Sequence, residues 1–249
     1  MQEIYQPHLP WHEDAGLVAI LKSYFYRYDS VGAALQDWPI YVLLMVGILV
    51  GITVHEFGHA WMADKLGDPT PREQKRVSLS PLAHLDPLGT LMIIATTLAG
   101  YPLGWGKPVK TDPDLYRVDR RTGIGLVAAA GPIMNLLTAI ALAPVARFLI
   151  AQILRGHDTE AMIFGFLLVA VTMVVNLSLF CFNLVPIHPL DGSHILASLL
   201  PQALADVYSK FMQRFGSYML LTLMFTGVLG GLLGPIIQAL FFLLIGIQP

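Results

Sequence analysis

The run from Pro39 to about Met62 does most to limit what this chain can become. It is long enough to cross a bilayer as a helix, at about 20 residues per span, yet it carries "GITVHEFGHAW", with His55, Glu56 and His59. Further apolar runs follow: Ile124 to about Ile153, Met162 to Val185, and Phe215 to Ile247. Charged residues make up only 13% of the 249, against 55% hydrophobic; soluble domains carry roughly a quarter charged. The composition therefore indicates an integral membrane protein built as one embedded domain, with no repeat or hydrophilic second domain.

Several classes are set aside early. A net charge of −2 gives no reason to expect a nucleic-acid partner. Cys181 is the only cysteine, so no internal disulfide can form. The opening "MQEIYQPHLPWHEDAG" lacks the basic start and short apolar core of a cleavable signal peptide. Residues 1–37 are expected to form an interfacial segment, and residues 38–249 the membrane-embedded domain.

The expected fold is an all-α polytopic membrane protein with about five to six membrane helices. Between the first two long spans lies "PLGTLMIIATTLAGYPLGW", short and broken by Gly100, Pro102 and Gly104. The flanking loops hold Arg72, Lys75 and Arg76 on one side and Lys107, Lys110, Arg117, Arg120 and Arg121 on the other, while residues 1–37 hold only Lys22 and Arg27. Basic loops favour the cytoplasm. Both can lie there only if the short piece dips in and returns, as a re-entrant or short β element shielded by protein. The segment from His194 to Arg214 reads as a surface helix. The final run is too long for one upright span at about 1.5 Å per residue, and "GVLGGLLGP" within it predicts a turn between two helices.

The polar residues inside the first run need a reason. In H-E-x-x-H on a helix, His55 and His59 share a face and can meet one metal, while Glu56 lies beside it, within reach of a metal-bound water. Ionisable groups at membrane depth cost several kcal/mol unless paired, metal-bound or wet. A catalytic zinc needs a third protein ligand. "NLVPIHPLDGS" supplies Asp191 at the end of another span. If the first span runs inward and the second piece is re-entrant, Asp191 arrives on the same side as the histidines.

"HEFGH", "AAAGPIMN" and "FNLVPIHPLDG" together resemble the site-2 protease family of intramembrane zinc metalloproteases, and "GWGKPV" matches a further pattern of its bacterial members. The resemblance runs from about Ile48 to Gly192, and the last hydrophobic pair is similar to the compact bacterial branch. It implies one zinc held by His55, His59 and Asp191, Glu56 as catalytic base, and Asn135 near the site, holding substrate or the developing oxyanion. A helix-packing asparagine is the other reading of Asn135. His188 departs from the family, which usually has proline there.

The implied function is hydrolysis of single-pass transmembrane substrate proteins within the lipid bilayer. The implied location is a bacterial inner membrane, with the site toward the cytoplasm. Gly106, Lys107, Pro108 and Val109 could offer a strand edge to unwound substrate; an ordinary loop is the plainer reading. A metal-ion transporter or a silent zinc scaffold would use similar ligands, but neither needs a base at Glu56. Outside the site, His84 reads as structural, and His8, His12, His157 and His194 as surface or interface residues. Asn176 and Asn183 are expected to tie helices or the Asp191 loop, and Arg147 to snorkel to headgroups.

Overall fold

The structure is a computed structural model that describes residues 38–98, 104–157 and 159–246. The interfacial segment expected over residues 1–37, together with Gly100 and Pro102, lies outside the described residues. Nine helices are described: α1 (Trp38–Leu66), α2 (Thr70–Glu73), α3 (Pro81–His84), α4 (Pro87–Leu98), α5 (Arg120–Leu154), α6 (Glu160–Asn183), α7 (Asp191–Leu199), α8 (Gln202–Phe225) and α9 (Val228–Ile245). A single 3₁₀ turn spans Pro113–Leu115.

Four of these, α1, α5, α6 and α9, are long and apolar enough to cross a membrane. The count of five to six expected from the sequence is not reached among the described residues. Outside this group is α8, which has 24 residues but carries Asp206, Lys210 and Arg214. The sequence reading placed a boundary near residue 214. The helix instead runs on to Phe225, and the turn falls at Gly227, whose φ of 73° suits a residue without a side chain. The remaining glycines of "GVLGGLLGP" lie inside α9.

Helix α5 is the spine, packed between α1 and α6 and against α7. Its buried positions are small: Ala128, Ala130, Gly131, Ala139, Ala143 and Ala146. Lipid tails are as apolar as leucine, so helices associate here by close backbone packing rather than by hydrophobic exclusion. One close crossing is at Gly58 of α1, where a Cβ would lie 2.6 Å from the Ala130 carbonyl oxygen of α5. Asp119 starts α5 by accepting from the backbone N–H groups of Arg121 and Thr122, and Thr159 caps α6 through Met162 N–H.

Where a short β element was expected, the described residues form no strand. They form one antiparallel bridge between Leu85 and Gly106. Pro87 and Pro108, just beyond it, lack the N–H groups a longer ladder would need. Arg147 is exposed, and its guanidinium donates to the carbonyls of Leu244 (2.6 Å) and Leu243 (3.5 Å). It thus satisfies the last turn of α9, where a cation is favoured by the helix dipole.

The α1–α5 crossing sets the position of everything that follows. Gly58→Ala is expected to destabilise the protein by roughly 1–3 kcal/mol, as overpacking does. Thermal unfolding in detergent would read this as a lowered midpoint.

Candidate metal centre

Three side chains from two distant parts of the chain converge where α1, α5 and the start of α7 meet. His55 Nε2 and His59 Nε2 are 3.0 Å apart. Asp191 Oδ2 lies 3.2 Å from the first and 3.4 Å from the second. The helical i, i+4 spacing stacks the two imidazoles on one face of α1, with ring centroids 4.6 Å apart. Asp191 is the first residue of α7. It reaches this point because Gly192 lets the chain turn tightly: a Cβ there would lie 2.4 Å from the carbonyl oxygens of both Leu184 and Val185. Gly131 of α5 serves the histidines in the same way, since a Cβ on it would lie 2.4 Å from His59 Nε2.

The protonation pattern of the rings follows from their other partners. His59 Nδ1 is 2.7 Å from the Val127 carbonyl, which can only accept, so Nδ1 carries the hydrogen. For His55 the same conclusion comes through a chain of two side-chain amides. Asn176 Nδ2 donates to the Thr172 carbonyl (2.8 Å), which leaves Asn176 Oδ1 to accept from Asn135 Nδ2 (2.9 Å). Asn135 Nδ2 also donates to the Gly51 carbonyl at 2.9 Å. Asn135 Oδ1 therefore faces His55 Nδ1, 2.8 Å away, and accepts from it. Both Nε2 atoms are then bare lone pairs, aimed at each other and at a carboxylate oxygen that is buried without a hydrogen-bond donor.

Three acceptors at this spacing repel one another unless a cation lies among them. A tetrahedral zinc with bonds of about 2.0–2.2 Å sets its ligands roughly 3.3 Å apart, which matches this triangle. Each imidazole also has its far nitrogen held by an oxygen acceptor, the usual support for a metal-binding histidine. The residues present fit a zinc ion.

Glu56 projects beside the triangle, not into it. Its Oε2 accepts from the Val109 backbone N–H at 3.2 Å and lies 3.9 Å from an Arg76 guanidinium nitrogen. A cleft of about 640 Å³ opens over the triangle and Glu56, lined also by Trp105, Gly106, Pro108, Val109 and His194.

The remaining residues singled out in the sequence fall on either side of this cleft. Gly106, Pro108 and Val109 line it, while the backbone of Lys107 turns toward α3. Asn135 packs beside His55. It is fully buried, and both amide hydrogens are committed to Gly51 and Asn176. Asn176 ties α6 to α5, as expected. His188 sets its ring against that of His194, with centroids 6.2 Å apart, and stays out of the triangle. His194, read from the sequence as a surface residue, lines the cleft. The sequence starts a surface helix at His194, but the helix begins three residues earlier, at Asp191, and that spacing puts the two residues on one helix face. Arg76 was counted only as a loop charge, but its side chain is 3% exposed.

Comparison with known proteins identifies a family and several relatives. A model of peptidase family M50 matches residues 150–227, which include Asp191. A Bacillus subtilis protein named "Putative zinc metalloprotease YwhC" is 33% identical over 201 residues, covering 79% of this chain and 86% of that protein. The chain belongs to peptidase family M50. "Putative zinc metalloprotease Rip2" of Mycobacterium tuberculosis is 31% identical over 157 residues, covering 61% of this chain and 55% of that protein. The Mycolicibacterium smegmatis protein of the same name is 29% identical over the same length. No solved structure matches the chain. As an M50, or site-2 protease, family member with four span-capable helices, the chain is a multi-pass membrane zinc metalloprotease.

Removing Asn135 would strip His55 Nδ1–H of its acceptor. Asn135→Ala is expected to weaken zinc binding on the order of 10- to 100-fold, the usual cost of losing such a support. Competition against a chelator of known affinity measures it.

Proposed function

We propose that this family member is an intramembrane endopeptidase that uses one zinc ion, held by His55, His59 and Asp191, with Glu56 as general base. The substrates are proteins with a single membrane-spanning helix. The observation that carries this reading is the triangle of bare acceptors with Glu56 directly beside it.

When bound, zinc would lower the pKa of a coordinated water to about 7 and polarise the scissile carbonyl. Glu56 would take the proton from the attacking water and deliver it to the leaving amine. Asn135 would hold His55 in the correct tautomer rather than touch substrate. The Gly106–Val109 segment would hold an unwound stretch of substrate as an added strand.

A hydrogen bond from Arg117 N–H to the Leu66 carbonyl, at 2.7 Å, supports a re-entrant connection. The chain leaves α1 and re-enters at α5 at the same level, so α4 makes no net crossing. The basic residues of that connection favour the cytoplasmic side of a cell membrane for the site.

Glu56→Gln should keep zinc and lose cleavage of a transmembrane substrate by about 10²–10⁴-fold, the range for removal of a general base. Retained cleavage would remove Glu56 as the base, whereas undiminished metal flux through reconstituted vesicles with no cleavage by the parent would overturn the protease reading in favour of transport. Asp191→Asn should instead lose zinc, because a charged ligand is replaced by a neutral one. Full occupancy by elemental analysis would remove Asp191 from the ligand set.

A further inference from the structure

Arg76 is the charged residue that the proposed chemistry leaves without a role. It sits in a loop rich in exposed charge: Arg72, Glu73, Gln74 and Lys75 are all exposed, yet Arg76 is buried. The backbone bends to bring this about. Lys75 adopts a left-handed conformation, φ 57°, which is uncommon for a residue with a side chain. Arg76 N–H then donates to the Pro71 carbonyl at 2.8 Å, which fixes the turn. Burying a guanidinium is costly unless its donors are used.

Those donors reach three separate segments. One terminal nitrogen donates to the Ala83 carbonyl in α3, and the other to the Lys107 carbonyl. The second also lies 3.9 Å from Glu56 Oε2. The two carbonyl-bearing segments are joined to each other by Lys107 N–H to the His84 carbonyl, 2.8 Å, and by the Leu85–Gly106 bridge. His84, itself fully buried, is anchored through Nε2 to the Ser78 carbonyl at 2.6 Å. Val109 N–H completes the ring by donating to Glu56.

We infer that Arg76 is a positioning residue that clamps the Gly106–Val109 segment against Glu56, fixing the base and the substrate-holding edge relative to each other. The inference rests on the reading of Glu56 as base and of this segment as the substrate edge. Both backbone groups of Lys107 face the clamp, and in extended chain the neighbouring residues face the other way. The groups of Gly106 and Pro108 are thereby left toward the cleft that both residues line. One buried cation thus holds one edge of the segment and leaves the opposite edge for substrate.

Limited trypsin digestion of the purified full chain in detergent tests the clamp apart from catalysis. Lys110 is exposed and follows the clamped segment, and trypsin needs local opening to cut there. In Arg76→Gln, cleavage after Lys110 should accelerate on the order of tenfold or more, as expected for losing hydrogen bonds from a charged donor. Arg76→Lys, able to reach one carbonyl but not both, should fall between. Zinc content should match the parent in both, while kcat on a transmembrane substrate drops by up to about 100-fold, as for a misplaced catalytic group. Unchanged protection of Lys110 in both variants would overturn the clamp. So would loss of zinc in step with exposure, which would mark a general folding role. If Arg76→Gln does not fold, Arg76→Lys alone decides. A parent without peptidase activity would sink the reading of the site and leave the trypsin result to judge the clamp.

Discussion

Three acceptor atoms facing one another across no more than 3.4 Å, deep in an apolar bundle, form an arrangement that is stable only around a positive charge. Much of the surrounding architecture serves to hold them there. The Val127 carbonyl and the Asn135–Asn176 pair commit the outer nitrogens of both rings, so in the neutral rings the inner nitrogens present lone pairs. The amide chain ends on a backbone carbonyl of α6, which carries the orientation of His55 across α1, α5 and α6.

Close packing is the second requirement. Gly131 and Gly192 occupy places where one methyl group would collide with an imidazole or with two carbonyls. Small residues therefore do more in this bundle than bring helices together. They create the volume in which a metal and its ligands fit. The same logic extends to the connection between α1 and α5, where a buried arginine, a buried histidine and a single bridge replace the ladder of a regular hairpin. A short, proline-flanked segment could not hold its place by backbone pairing alone.

The legible parts of this protein were those tied to spacing and composition. His55 and His59 could be paired because four residues make about one helical turn. Asp191 could be set beside them because loop charge and span direction agreed. Asn135 was legible as a residue near the site but not in its orientation, because an amide can donate or accept and only its neighbours decide. His194 was not placed in the cleft because the helix that carries it begins at Asp191, three residues before the surface helix read from the sequence. Arg76 was missed because a loop arginine following four other polar residues has no pattern that marks it as buried.

Periodicity, hydropathy and the three separated motifs were enough, before any coordinates, to establish a helical membrane protein with a histidine pair and a distant aspartate suited to zinc. These properties are local or nearly so, and each follows from residue type and helix geometry. The tertiary structure alone decided which nitrogen of each ring faces inward, which amide hydrogens are spent, and which loop cation turns into the core. Those outcomes depend on partners 31 to 84 positions away, and a hydrogen bond takes its direction from the atom it meets.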